Sequence, residues 1–284
     1  MPLDWQRLVW MTDDELSRLD VAAVQLACAE GLPGAASIEH VADCLSRLDH
    51  YARCVADYTE RCLPDFHARR GYYDDSLAKF RMICLVRLLQ KEFRVLYNEA
   101  KIPLDVPLDT ADVFIHGALL GNGGTCASLP VVYTAVGRRL GYPLKLVTAA
   151  GKDVGHLFAR WDEPGERFNF EANNTSCDTP PDDHYRGLYG GMTPEAERAG
   201  QHLTSLTPRQ ELADFLIARG FRWRDVGRRR LAVQSFAWAL SQWPENRSID
   251  CTLAVNFTGR HGVWGGQPAA SSPPSRAGLE TEAR

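Results

Sequence analysis

Gly121-Asn122-Gly123-Gly124-Thr125-Cys126-Ala127-Ser128-Leu129 decides how this chain is read. The glycines and the Asn-Gly dipeptide make a tight turn. After it, Leu129, Tyr133, Val136 and Leu140 fall on one helical stripe. The spacing predicts a helix over 126–140, capped by Gly141, with Arg138 and Arg139 near the negative end of its dipole. Pro130 fits poorly there, because it would delete a backbone bond in the second turn. Cys126 opens the helix, where unpaired amides and the dipole favour thiolate, the form of sulfur that attacks a carbonyl carbon. A cysteine after Gly-Gly-Thr is, taken alone, also an ordinary structural residue.

Downstream, 143–149, 155–161 and 166–172 read as strands, the last two flanking the turn-forming Asp162-Glu163-Pro164-Gly165. His156 lies on the middle strand. A four-residue loop over 162–165 makes Trp161 face Glu166, and His156 then stands directly opposite Glu171. Opposed residues share a sheet face, so this carboxylate can hold one imidazole nitrogen and turn the other toward Cys126. A one-residue slip would put the two on different faces. Asp162 and Asp178 are the alternative acids. The Cys126 amide is a candidate oxyanion donor and the Asn122 side chain a weaker one, since Asn-Gly forms turns in its own right. His116 lies too early to assign. Trp161, Phe168 and Phe170 read as core or pocket wall, and 173–198 as a long loop bordering the site.

Residues 1–108 read as a helical front. Thr12 and Glu15 make a helix start, and apolar stripes mark helices over about 38–58 and 76–97. Nothing in this front assembles a catalytic set. Helical pattern returns at Pro208. Setting Pro244 as the closing proline of a 34-residue helix-turn-helix repeat over 213–246 puts Gly220, Trp223, Ala232, Phe236 and Ala239 at its packing positions. Ordinary hairpin packing is the competing reading. Arg219, Arg222, Arg224, Arg228, Arg229 and Arg230 lie on this unit and read as a solvated face rather than a site for RNA or an acidic partner. Residues 199–262 form the rear helical region, and 263–284 read as a disordered tail.

Composition sets the outer limits. The 284 residues are 45% hydrophobic and 24% charged, with a formal net charge of -4, which argues against a dedicated nucleic-acid binder. No apolar run is long enough to span a membrane, and the start lacks the pattern of a secretory signal. The eight cysteines form no C-x-x-C pair. The expectation is a cytoplasmic chain with no disulfide framework, no metal centre and no cofactor.

Three segments carry a resemblance: Gly124-Thr125-Cys126-Ala127-Ser128-Leu129, Arg139-Leu140-Gly141-Tyr142-Pro143, and Gly155-His156-Leu157-Phe158-Ala159-Arg160-Trp161. Together they resemble the transglutaminase-like, papain-like cysteine superfamily. More narrowly, the chain is similar to bacterial transglutaminase-like proteins with a helical front half and a tetratricopeptide region behind the core. The resemblance implies an α+β fold whose core, over 109–198, packs a cysteine-bearing helix on a small antiparallel sheet. It implies Cys126 as nucleophile, His156 as base and Glu171 at the acid position, where aspartate is more usual. The implied activity is thiol acyl transfer or amide hydrolysis on a peptide or protein substrate. A protein partner on the repeat region is a further expectation. The alternative is a catalytically silent binding scaffold, since relatives with this helical front often lack the cysteine that this chain keeps.

Overall fold

The computed structural model describes residues 3–102, 106–150, 155–172, 177–188, 193–246 and residue 249. Its front is helical: α1 (Trp5–Leu8), α2 (Asp13–Ser17), α3 (Val21–Ala29), α4 (Ile38–Ala68) and α5 (Leu77–Lys91). Each begins where a polar side chain takes up an amide the helix cannot pair. Thr12 and Glu15 do so reciprocally at α2, and Ser37 and Ser76 cap α4 and α5. α4 continues past 58 because Phe66, buried against Tyr73 and Phe80, prolongs its apolar stripe. α5 stops at Lys91, short of the expected end at 97. Arg94 turns left-handed (φ 55°) and the Val95 amide folds back onto the Leu89 carbonyl, so the chain leaves the helix before Tyr97.

Two short helices, α6 (Thr110–Val113) and α7 (Ile115–Leu120), precede the cysteine turn and α8 (Leu129–Arg139). The helix starts three residues later than the spacing suggested. That resolves the misfit of Pro130, which falls in the first turn, where no N–H is required. The Tyr142 amide closes the other end on the Gly137 carbonyl at 2.9 Å, with Gly141 left-handed as expected.

Strands β1 (Leu144–Ala150), β2 (Gly155–Glu163), β3 (Glu166–Ala172) and β4 (Cys177–Asp178) form one antiparallel sheet in the order β1-β2-β3-β4. The fold of the described residues is α+β. α8 is buried from Leu129 to Gly137 and covers the sheet face that carries Leu146, Leu157, Ala159, Trp161 and Phe170. On the other face Val147, Ala149 and Phe158 lie under Tyr185 and Leu203.

The β2–β3 hairpin is tighter than expected. Glu163 pairs with Glu166, and the loop is Pro164-Gly165 alone. Proline followed by a left-handed glycine (φ 92°) is the chemistry of a two-residue type II turn, so pairing runs on through Asp162 and Glu163. The segment expected as a long loop over 173–198 carries, among its described residues, β4 and the helices α9 (Asp182–Leu188) and α10 (Pro194–Arg198). α9 is moored from below. The fully buried Arg160 donates to Asn169 Oδ1 (2.6 Å), the Leu203 carbonyl (2.9 Å) and Asp182 Oδ1 (2.7 Å).

Behind the sheet, α11 (Pro208–Asp225) and α12 (Arg229–Gln242) pack as a hairpin. A Cβ on Gly220 would lie 2.4 Å from the Phe236 ring, so only glycine admits this crossing. Ala232, Phe236 and Ala239 are fully buried at the same interface. The arginine series does not form one solvated face. Arg219 is buried between Trp5 and Trp223 and donates to the Cys28 and Glu30 carbonyls, and Arg222 donates to the Leu108 carbonyl. Only Arg228, Arg229 and Arg230 are exposed.

Front, sheet and rear hairpin share one apolar cluster reaching from Trp5 to Ile249. Arg139 ties α8 to Asp20 and Asp49 of the front, and Arg138 ties it to Glu211 of α11. The expected tail over 263–284 and the last part of the rear region lie outside the described residues. Among the described residues no helix is long and apolar enough to cross a membrane, and no group of three or more His, Cys, Asp and Glu could hold a metal ion.

Candidate active site

The turn before α8 is built by two buried hydroxyls. Thr125 and Ser128 both donate to the Asp112 carbonyl, each at 2.9 Å. In return the Thr125 amide donates to Ser128 Oγ (3.0 Å) and the Ala127 amide to Thr125 Oγ1 (3.2 Å). Cys126 stands between these anchors, half-buried. It is in the turn and not in the helix, and this changes where its sulfur can reach. The body of α8 covers one sheet face, whereas His156 stacks with Phe158 and Tyr185 on the other. Lying ahead of the helix, the Cys126 side chain comes within hydrogen-bonding reach of the His156 imidazole.

Glu171 completes the arrangement by a different register from the one expected. Extending the Ala159–Phe170 pairing by one position places Phe158, not His156, opposite Glu171. The loop differs from the expected one by two residues, and side chains alternate with period two. Glu171 therefore keeps its face and becomes the diagonal neighbour of His156. Its Oε1 lies 2.5 Å from His156 Nε2. Burial pulls the imidazole down, but its hydrogen bonding to Glu171 and to the Cys126 side chain, and the charges of both, outweigh it and hold His156 at about 9. The ring is protonated at neutral pH, with Nε2–H donating to the carboxylate.

Two tyrosines that sequence reading passed over belong to the site. The Tyr185 hydroxyl donates to the same Glu171 oxygen at 2.9 Å, and its ring stacks on Phe158 at 4.0 Å. Tyr97 comes from the front, which on its own assembles no catalytic set. The Asn98 amide donates to the Gly124 carbonyl (2.8 Å) and the Gly124 amide to the Leu96 carbonyl (2.9 Å), a β-bridge that pins 96–98 to the cysteine turn. Gly123 makes the approach possible: it is left-handed (φ 79°), and a Cβ there would lie 3.0 Å from that of Asn98. The Tyr97 hydroxyl lies within hydrogen-bonding reach of both the backbone and the side chain of Cys126. Burial, then the Cys126 charge, pushes this phenol up to about 12. The only signal in the sequence was aromatic residues near the ends of segments, which is too common to single either one out.

The remaining candidates serve the fold. Asn122 is exposed, and its amide closes α7 on the Gly117 carbonyl at 2.9 Å. His116 is buried, with Nε2 3.0 Å from the Gly34 carbonyl. Asp162 accepts from Ser205 at 2.5 Å, and Asp178 pairs with Glu171 across the β3–β4 ladder. Trp161 and Phe170 are core, and Phe168 packs half-buried against them. Cys28, Cys84 and Cys177 are pushed up to about 12 and Cys44 to about 11, in each case first by burial.

A cavity of about 510 Å³ lies toward the other end of α8, lined in part by Arg18, Asp20, Asp49, Arg138 and Arg139. Its arginines are paired with carboxylates.

No family model, curated protein or solved structure matches the chain. The functional reading therefore rests on the site itself.

Proposed function

We propose that the chain is a cysteine-dependent acyl-transfer or amide-hydrolysing enzyme of transglutaminase-like type, with Cys126 as nucleophile, His156 as acid–base and Glu171 as the group that orients it. One observation carries this reading: a half-buried imidazole bonded through Nε2 to Glu171 and within hydrogen-bonding reach of the Cys126 side chain. A structural histidine needs one partner. This one has a carboxylate bonded to it and a thiol within reach, the partners that nucleophilic catalysis requires.

In the proposed cycle the Cys126 sulfur attacks the carbonyl carbon of a peptide, isopeptide or glutamine amide, and the carbonyl π pair moves onto oxygen. Collapse expels the amine, which takes the proton held by His156 and leaves a thioester. Water or a second amine then gives its proton to His156 as it attacks. Oxygen is released as acid or nitrogen as new amide, and the Cys126 thiolate is regenerated beside the protonated His156. Glu171 and Tyr185 keep the ring aimed throughout. On this reading 109–198 is the transglutaminase-like core. The α11–α12 hairpin, with Gly220 beneath Phe236, is one tetratricopeptide-like unit for a protein partner.

The test is acylation of the whole chain by p-nitrophenyl acetate, following p-nitrophenolate release and the mass of the Cys126 peptide. A stoichiometric acetyl group on Cys126, absent from Cys126→Ala, is the expected outcome. Release no faster than from Cys126→Ala, with Cys126 alkylating no faster than Cys54, would favour the silent scaffold.

A further inference from the structure

Tyr97 lies beside the residue at which the carbonyl oxygen of a substrate must come to rest. When sulfur adds to a carbonyl, the new oxyanion sits on the carbon bonded to Sγ and within reach of the nucleophile's own amide. The Tyr97 hydroxyl lies within hydrogen-bonding reach of both the backbone and the side chain of Cys126. Its placement does not depend on a flexible loop, because the Tyr97–Gly124 bridge and its two flanking backbone hydrogen bonds fasten it to the turn that holds the nucleophile. The ring is half-buried, so the hydroxyl meets an incoming charge with little competing water.

We propose that Tyr97 is a catalytic residue of this site, the side-chain donor that stabilises the oxyanion together with the Cys126 amide. This rests on the acyl-transfer reading above. Bond formation between sulfur and carbon creates a negative oxygen beside the Cys126 backbone and the phenol. That oxygen accepts from the Cys126 N–H and from the Tyr97 O–H. No proton changes owner, so the step balances: one S–C bond forms, the C=O π pair becomes the oxygen lone pair, and two hydrogen bonds follow the charge. The phenol keeps its proton because burial and the neighbouring Cys126 hold it high, as a donor to an anion requires.

Tyr97→Phe retains the ring and removes only the hydroxyl. Two reactions of Cys126 separate the roles open to it. Acylation by p-nitrophenyl acetate passes through an oxyanion, whereas alkylation by iodoacetamide displaces iodide at a saturated carbon and does not. The expected result is acylation slowed on the order of 10²-fold, the usual loss for one oxyanion donor, with alkylation changed less than about threefold. Equal slowing of both reactions would make Tyr97 a modulator of the thiol and overturn the proposal. Faster acylation would make it a plug over the amide and overturn it too. Wild-type acylation no faster than Cys126→Ala is the separate signature that the acyl-transfer reading has failed, and the proposed role of Tyr97 falls with it. Equal thermal midpoints for wild type and Tyr97→Phe establish that the folds compared are the same.

Discussion

One oxygen of Glu171 serves two donors: Oε1 lies 2.5 Å from Nε2 of His156 and 2.9 Å from the Tyr185 hydroxyl. Imidazole and phenol stack on the same side of the sheet, and the carboxylate ties their polar ends together. Side-chain truncations in this cluster should therefore act through His156 in a graded way.

His156→Ala removes the acid–base group and the charge next to sulfur, whereas Glu171→Gln keeps shape and an acceptor oxygen but loses the charge that steadies imidazolium. Iodoacetamide labelling at neutral pH, read by mass spectrometry at Cys126, is expected to run fastest in wild type, slower in Glu171→Gln and slowest in His156→Ala. On the proposed chemistry, loss of His156 costs acyl turnover about 10²–10⁴-fold. Equal rates in all three proteins would remove the catalytic assignment.

His156 titrates well above its ordinary value, and the direction has a consequence for stability. A group raised in the folded state contributes stability that is complete below the unfolded value of about 6.5 and disappears as pH rises through the folded value. That window runs to about 9 here. The imidazole signals of His156 in NMR should titrate near the upper end of it, and Glu171→Gln should bring the midpoint down. The thermal midpoint of wild type should exceed that of His156→Gln by more at pH 6 than at pH 9.5. A midpoint that stays near 6.5 would contradict the buried pair.

Tyr185→Phe preserves the stack on Phe158 and deletes one hydrogen bond to Glu171. A positioning role predicts a loss in turnover of several-fold with KM nearly constant. It also predicts an upward move of the His156 titration, because the carboxylate loses a competing donor. A change in KM alone would mean that Tyr185 touches substrate instead.

Arg160 has its charge buried and shares Asp182 Oδ1 with Asn169. Asp182→Ala would leave the guanidinium without its carboxylate and unmoor α9, the helix that brings Tyr185 to Glu171. Breaking a buried pair in this way costs about 3–5 kcal/mol, to be read from chemical denaturation. A loss under 1 kcal/mol would show that water replaces the carboxylate.

At the rear hairpin, Ala232 is fully buried at the α11–α12 contact. Ala232→Leu overpacks it and should cost about 1–3 kcal/mol. The check is the thermal midpoint, which should fall while Cys126 labelling is unchanged.

Much of this protein is written locally. The alternation of 155–161 and 166–172 on either side of Pro164-Gly165 determined the hairpin. The stripe from Leu129 to Val136 determined α8, and the polar starts at Thr12, Ser37 and Ser76 determined where the front helices begin. These signals depend on neighbours in sequence, so one chain shows them. The pairing of His156 with Glu171 was legible for the same reason. Period-two alternation preserves the face through a two-residue error in the loop, although it could not say whether the contact is direct or diagonal. Tertiary structure alone decided the rest. Tyr97 reaches Cys126 only because α5 ends at Lys91 and the extended strap finds the bare backbone of Gly123 and Gly124. Tyr185 reaches Glu171 only because Arg160 and Asn169 hold Asp182 from beneath. Such contacts join residues far apart in the chain through side chains that leave no periodic trace, and packing of the whole core selects them.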